Sequence, residues 1–199
     1  MVKADCGGCN GCSRCCHGMG NSIILDPSDV YRMTTGMGKS MQELLAASVE
    51  LNVVDGVILP NLKMQGTKEA CAYLDEEGRC SIHPYRPGIC RLFPLGRYYE
   101  NGGFSYFLQT GECAKENRSK IKVSKWIDTP DLTRNQQFTL QWHDLLHAME
   151  ERLTGEDEGK QQEENLLLLR LFYLLPYKGT TDFYSQFMER MEYWNEQIR

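Results

Sequence analysis

The chain has 199 residues, of which 41% are hydrophobic and 25% are charged, so it is long enough to bury one substantial core and to hold a second small module. Its formal net charge of −5 and pI near 5.4 disfavour binding to nucleic acid phosphates or to anionic membranes, because such binding relies on a basic surface. The N-terminal sequence MVKADCGGCNG lacks the apolar run of a signal peptide, and the most apolar stretch, LLLLRLFYLL at 166–175, is short and contains Arg170. We therefore expect a cytoplasmic protein with no membrane segment.

Five of the nine cysteines lie in CGGCNGCSRCC at 6–16, and all nine lie within the first 113 residues. An odd number of cysteines in a reducing compartment argues against a disulfide framework and for metal binding or redox chemistry. Cysteines separated by two residues form a metal knuckle, because a tight turn can direct both sulfurs at one ion, and Cys9, Cys12 and Cys15 repeat that spacing. Consecutive side chains diverge, so the vicinal pair of Cys15 and Cys16 predicts two neighbouring ions or a bridging sulfur.

Two short helices are predicted after the first cysteine cluster. Asp26 as the cap and Pro27 in the first turn begin a helix through SDVYRMT that ends at Gly36. Ser40 caps the second helix, and Glu43 three residues later completes a capping box.

The middle of the chain predicts an irregular segment followed by a hairpin. The sequence ACAYLDEEGRCSIHPYRPGICRLFP at 70–94 is too interrupted by Gly and Pro to form one regular element, and metal-bound knuckles suit such a segment. The next stretch, RYYENGGFSYFLQ at 97–109, has two aromatic, strand-forming runs around Asn101, Gly102 and Gly103, which is typical of a β-hairpin.

The last part of the chain contains no cysteine and predicts three helices. The first begins at Thr129, with Pro130 in the first helical position, and continues at helical spacing to Gly155. The second covers about 160–175 and is apolar nearly all round, which is typical of a buried helix, and the third begins near Thr181.

Together these elements predict an α+β protein. An irregular, cysteine-rich metal-binding lobe with short helices and a β-hairpin, residues 1–125, packs on an antiparallel helical bundle, residues 126–199. The apolar faces of the C-terminal helices are expected to fill the core, and a groove for a protein partner is the alternative.

Two blocks of cysteines resemble a known family. The sequence CNGCSRCC at 9–16 has the C-x2-C-x2-C-C form of the CxxCxxCC, or YkgJ-like, cysteine-cluster proteins, which are described as zinc- or iron-chelating. The sequence CAYLDEEGRCSIHPYRPGICRLFPLG at 71–96 is similar to the second block of that family, in which two cysteines flank an acidic, Gly-containing turn and Arg-Pro precedes Cys-Arg. Cys113 falls where a final cysteine is expected, so the resemblance covers 9–113.

The resemblance implies that these cysteines bind an iron–sulfur cluster, iron or zinc. Eight thiolates are enough for two four-thiolate centres. The predicted ligands are Cys9, Cys12, Cys15, Cys16, Cys71, Cys80, Cys90 and Cys113. The function expected is metal binding, with a role in electron transfer or metal handling.

An enzyme is the alternative, because a related cysteine cluster occurs in flagellin lysine N-methylases, which implies a metal-dependent protein-modifying activity. The rest of the chain shows no nucleophile elbow, glycine-rich dinucleotide loop or paired acid–base motif, and this favours a protein without catalytic activity.

The identity of the metal stays open between iron and zinc. A zinc ion bound by four thiolates carries a formal charge of about −2 and needs nearby cations, which Arg14, Arg86 and Arg91 could supply. The C-x2-C-x2-C run is shared with bacterial ferredoxins, although the ferredoxin continuation to Cys-Pro is absent. The vicinal pair suits a centre with several metal ions, so an iron–sulfur cluster is slightly favoured.

Three further residues could adjust the ligand set. Cys6 is a spare thiol or a ligand exchanged in some states, and His17 or His83 could replace a thiolate.

Overall fold

A computed structural model describes residues 1–5, 12–113 and 118–198 of the chain. It is an α+β protein with small antiparallel two-stranded sheets, as predicted. The helices are α1 (Pro27–Met37), α2 (Met41–Ala47), α3 (Gly88–Leu92), α4 (Val123–Ile127), α5 (Leu132–Leu153), α6 (Glu158–Leu169) and α7 (Phe183–Gln197). The strands are β1 (Val2–Asp5), β2 (Val49–Val54), β3 (Val57–Leu62), β4 (Met64–Gln65), β5 (Ala70–Cys71), β6 (Leu95–Glu100), β7 (Gly103–Leu108) and β8 (Ser119–Ile121).

Both predicted N-terminal helices are present with the predicted caps. The Asp26 carboxylate accepts from the backbone N–H of Asp29, and Ser40 and Glu43 form a reciprocal capping box. The first helix does not end at Gly36. It continues to Met37, because Gly38 is the residue that adopts the left-handed conformation, with φ of +63°, and ends the helix.

The predicted hairpin is confirmed as β6 paired with β7, from Leu95 opposite Leu108 to Glu100 opposite Gly103. Asn101 and Gly102 both have positive φ, which is the geometry that two-residue hairpin turns require. A second hairpin joins β2 to β3, and β1 pairs with β8, which links the two ends of the first 121 residues.

The three predicted C-terminal helices are present, with different boundaries. The long helix α5 begins at Leu132 rather than at Pro130, because the Asp131 carboxylate accepts from the backbone N–H of Arg134 and caps it there. The helix predicted over 160–175 is α6 followed by a π-helical turn, Arg170–Leu174. The third helix, α7, begins directly after its cap Asp182.

One main core includes residues from both sides of the predicted division at 125/126. Buried Met33 and Leu62 belong to the same apolar cluster as Trp142 and Phe172. The Tyr173 hydroxyl donates to the carbonyl of Leu25 at 3.1 Å, and this fixes the C-terminal helices against the N-terminal half. The described cysteine-rich segments therefore lie on a scaffold to which both parts of the chain contribute.

In the ranges described above, no helix combines the length and the apolar character that crossing a membrane requires.

Candidate metal centre

Five of the predicted ligands line a single cavity of about 250 Å³: Cys15, Cys16, Cys71, Cys80 and Cys90. Cys12 and Cys113 are also described as free thiols, but they are not among the residues that line this cavity. Cys9, like Cys6, lies outside the described residues. The structure thus brings together thiols that are separated by up to 75 positions in the sequence, and we call this space the five-thiol cavity.

The vicinal pair reaches the cavity from a short 3₁₀ turn, Arg14–Cys16. The backbone N–H of Cys16 donates to the carbonyl of Ser13 at 2.8 Å, which closes the turn. Immediately afterwards the backbone N–H of Gly18 donates to the carbonyl of Glu69 at 2.9 Å, and His17 forms a bridge with Ala70. The first cysteine block is therefore held against β5, next to Cys71.

Cys71 and Cys80 lie at the two ends of a tight turn stabilised by Asp75. The Asp75 carboxylate accepts from the backbone N–H of Arg79 at 2.6 Å, and the Asp75 carbonyl accepts from the N–H of Gly78 at 3.0 Å. A backbone bridge between Leu74 and Cys80 closes the turn. Both thiols line the cavity, one on each side of this turn in the sequence.

Cys90 lies in the short helix α3, whose first residues are held by a buried carboxylate of α1. Asp29 is only 1% exposed, and its Oδ1 accepts from the backbone N–H of Gly88 at 2.7 Å and from Arg32 Nη2 at 3.0 Å. The same Arg32 nitrogen donates to the carbonyl of Arg86 at 3.3 Å. Asp29 and Arg32 therefore set the position of the 86–90 segment, which carries both Arg86 and Cys90 to the cavity.

Cys15 and Cys16 are adjacent in one 3₁₀ turn, and each thiol affects the pKa of the other. The hydrogen bond from Cys16 lowers the pKa of the Cys15 thiol to about 6, despite the opposing effect of burial. The same hydrogen bond raises the pKa of Cys16, and burial adds to that rise. Both thiols line the same cavity, so the vicinal pair presents one thiol of lowered and one of raised pKa to it.

Burial raises the pKa of the other three cavity thiols, Cys71, Cys80 and Cys90. The opposing positive charge comes from Arg86, which lines the cavity and lowers the pKa of both Cys15 and Cys80. Within the described residues, the Nε of Arg86 is buried and has no hydrogen-bond partner. The cavity thus combines soft sulfur donors with a guanidinium that can stabilise thiolate charge.

A sequence model for the CxxCxxCC domain, described as a "putative zinc- or iron-chelating domain", matches residues 8–109. The chain belongs to the CxxCxxCC family. The match includes all five cavity cysteines and ends before Cys113. Searches of curated proteins and of solved structures found no significant match.

The donor chemistry of this CxxCxxCC domain suits a soft or borderline metal, because thiolates are the ligands that zinc and iron–sulfur clusters prefer. In the described parts of the chain, however, no group of three or more His, Cys, Asp or Glu side chains is arranged so that it could hold a metal ion. The five thiols line one cavity, and binding would have to draw their sulfurs together around the metal.

The two histidines considered as replacement ligands do not line the five-thiol cavity. His83 is exposed, and its Nε2 lies 3.0 Å from Arg86 Nη1. His17 contributes its backbone to the bridge with Ala70. Both remain near the site without forming its wall.

In the sequence, Asp29 and Arg32 are simply residues of the helix predicted after Asp26. A local signal for Asp29 exists, since a carboxylate three residues after the cap Asp26 completes a capping box. Its contact with Gly88 spans 59 positions and has no local signal.

We expect the titration of Asp29 to make the folded protein less stable as the pH rises. Burial, with a smaller effect of Asp26, raises the pKa of this carboxyl from 3.8 to about 7, although Arg32 and two backbone N–H groups oppose the shift. Between these two values the folded protein binds more protons at Asp29 than the unfolded chain does, so raising the pH through this window removes stability. Replacing Asp29 by Asn removes this titration while the shape of the side chain is kept.

We therefore expect the stability of the wild type relative to Asp29→Asn to fall by up to about 1.4 kcal/mol per pH unit across the window. Denaturant unfolding of both proteins in the same metal state measures the difference. A stability difference that is independent of pH, or that changes in the opposite direction, contradicts the expectation.

Proposed function

We propose that the five-thiol cavity binds a metal centre through cysteine thiolates, and that this centre is an iron–sulfur cluster rather than a single zinc ion. The observation that carries the proposal is the presence of five thiols, including a vicinal pair, around one cavity. One tetrahedral zinc ion takes four ligands, so the cavity offers more sulfur than one such ion can bind. A centre with several metal ions can use neighbouring sulfurs on different ions.

The proposed ligands include the cavity cysteines together with the remaining members of the predicted set, Cys9, Cys12 and Cys113. Cys9 and Cys12 precede the cavity thiol Cys15 at knuckle spacing in the sequence, which is the spacing of cysteines that bind one metal centre. Glu112 lines the cavity and directly precedes Cys113 in the sequence, so the chain beside Cys113 reaches the five-thiol cavity.

The surroundings of the cavity favour a negatively charged centre. Three arginines, Arg32, Arg86 and Arg91, are close enough to influence one another: burial lowers the pKa of Arg91, and the positive charges of Arg32 and Arg86 lower it further. Asp29 and Asp128 are the carboxylates paired with Arg32 and Arg91. Arg86 has no carboxylate within 4.0 Å among the described residues, so its charge remains available to thiolate ligands.

The wall between these charged groups is mostly apolar. Leu62, Ile82, Phe93 and Leu95 line the cavity, and three of them belong to the buried cores of the protein. Such a wall limits access of water and oxygen to bound metal and sulfur, and it strengthens electrostatic interactions with Arg86. A role in electron transfer or metal handling is consistent with a centre protected in this way.

The role of Arg86 can be tested by substitution. Arg86→Gln is expected to weaken metal retention by about tenfold, as is typical when a group supporting a metal's ligands is lost, and Arg86→Lys to weaken it less. Lys39→Gln is the control, because Lys39 is exposed and does not line the cavity. Competition with a chelator measures metal retention, and equal retention in the Arg86→Gln and control variants contradicts the assigned role.

The proposal itself is tested by analysis of protein purified without oxygen. Iron accompanied by acid-labile sulfide supports an iron–sulfur cluster. Zinc without sulfide supports structural zinc sites and overturns the cluster, and the absence of both metals overturns metal binding altogether.

A further inference from the structure

A second cavity lies in the C-terminal region, outside the segment that matches the CxxCxxCC family. Its volume is about 560 Å³, and it is bordered by the end of α6, the π-helical turn and α7. Cavities of this size are typical of small-molecule sites. Its lining includes Leu171, Leu175, Tyr193, Arg170, Lys178 and Arg190.

The wall contains a π-helical turn, a feature often found at functional sites. The backbone N–H of Leu175 donates to the carbonyl of Arg170, five residues earlier, at 2.9 Å. The side chain of Arg190 donates to the carbonyls of Leu171 and Pro176, at 2.6 and 3.0 Å. Arg190 therefore reaches from α7 to the end of the π-helical turn.

Arg190 is a buried cation that forms no salt bridge with any of the residues that the structure describes. It is 7% exposed, and its guanidinium carbon lies 3.5 Å from the centre of the Tyr177 ring. The carbonyl oxygens satisfy N–H groups but carry no net charge, and in the described ranges no carboxylate lies within 4.0 Å of Arg190. A charge buried without a partner of opposite sign is costly, so an anion at this wall would stabilise it.

Two further cations line the same cavity. Arg170 and Lys178 are exposed and, among the described residues, likewise have no carboxylate within 4.0 Å. Glu189 is the acidic residue of the lining, so three cations face one carboxylate in a protein whose net charge is −5. The local charge thus differs in sign from that of the whole chain, which makes the cavity selective for anions.

The rest of the lining is apolar and partly open to solvent. Leu175 and Tyr193 are 49% and 47% exposed, and Leu171 lies beneath them as part of the core. We propose that this cavity binds a small amphipathic anion, with its carboxylate or equivalent charged group near Arg170, Lys178 and Arg190 and its apolar body against Leu171, Leu175 and Tyr193.

Decanoate is a suitable probe, and calorimetric titration of the full-length, metal-loaded protein measures its binding. We expect saturable binding of decanoate at one site. Decanol, which has the same length and no charge, should bind at least about tenfold more weakly. The double variant Arg170→Gln/Lys178→Gln should also bind decanoate about tenfold more weakly, since it removes two charge contacts without altering the buried Arg190.

The matched control is Lys68→Gln/Lys120→Gln, which removes two exposed charges that do not line the cavity. It should leave the dissociation constant unchanged within about a factor of two. Lack of saturable decanoate binding to the folded wild type overturns the proposal, as does equal binding of decanol or an equal loss in the two double variants. Metal content is measured on the same samples, so a failure of decanoate binding can be distinguished from a failure of metal binding.

Discussion

Replacing Cys90 by Ser is expected to reduce the bound metal by about tenfold or more, because a hydroxyl is a poor substitute for a thiolate at a soft metal. Cys90 lines the five-thiol cavity and is held there by the contact between Asp29 and Gly88. The loss should be accompanied by lower stability of the cysteine-rich segments, since metal binding contributes directly to folding in such domains. Metal analysis after size-exclusion chromatography measures the stoichiometry on folded protein.

Other cysteines provide the controls for this experiment. Cys80→Ser should reproduce the loss, because Cys80 lines the same cavity from a different segment. Cys6→Ser should keep the metal content of the wild type, because the proposed ligand set does not include it. Unchanged metal in both Cys90→Ser and Cys80→Ser, with both variants folded, would show that the cavity is not the metal site.

Replacing Asp29 by Ala is expected to lower the free energy of unfolding by about 2–4 kcal/mol, because a buried carboxyl that accepts three hydrogen bonds is lost. The substitution leaves Arg32 without its carboxylate and the backbone N–H groups of Gly88 and Asp26 without their acceptor. Buried donors without an acceptor are costly, and the loss of these hydrogen bonds releases the 86–90 segment. Denaturant unfolding measures the change.

Asp144→Ala is the matched control, because the Asp144 side chain is 75% exposed, and it should change stability by about 0.5 kcal/mol or less. Asp29→Ala should also release metal to a chelator faster than the control does, because Asp29 positions the segment that carries Arg86 and Cys90. If Asp29→Ala loses no more stability than Asp144→Ala, Asp29 does not hold this segment in place.

Much of the fold was predictable wherever the signal is local. The caps at Asp26 and Ser40 and the turn at Asn101 depend on residues within a few positions of one another, and the structure contains all three. The first residue of α5 was misplaced because Pro130 and Asp131 both carry signals for a helix start, and the hydrogen bond to Arg134 selects the second.

What the sequence could not reveal depends on contacts between distant segments. The cysteine pattern predicted a metal site, but not which of the eight thiols would share a cavity, because the spacing between blocks does not determine how they fold together. Three other features also join distant segments and have no local signal: the hydrogen bond from Gly88 to Asp29, the pairing of β1 with β8, and the shared core. Nor does the cysteine pattern reveal the opposite pKa shifts of Cys15 and Cys16, which depend on their mutual hydrogen bond and on burial.

X-ray absorption at the metal edge of protein purified without oxygen tests the central claim, that cysteine sulfurs in the five-thiol cavity hold a metal centre. We predict a first shell of sulfur at about 2.3 Å and a second shell from neighbouring metal ions, both lost in Cys90→Ser. A first shell of oxygen or nitrogen, or a sulfur shell that survives unchanged in Cys90→Ser, would contradict the account.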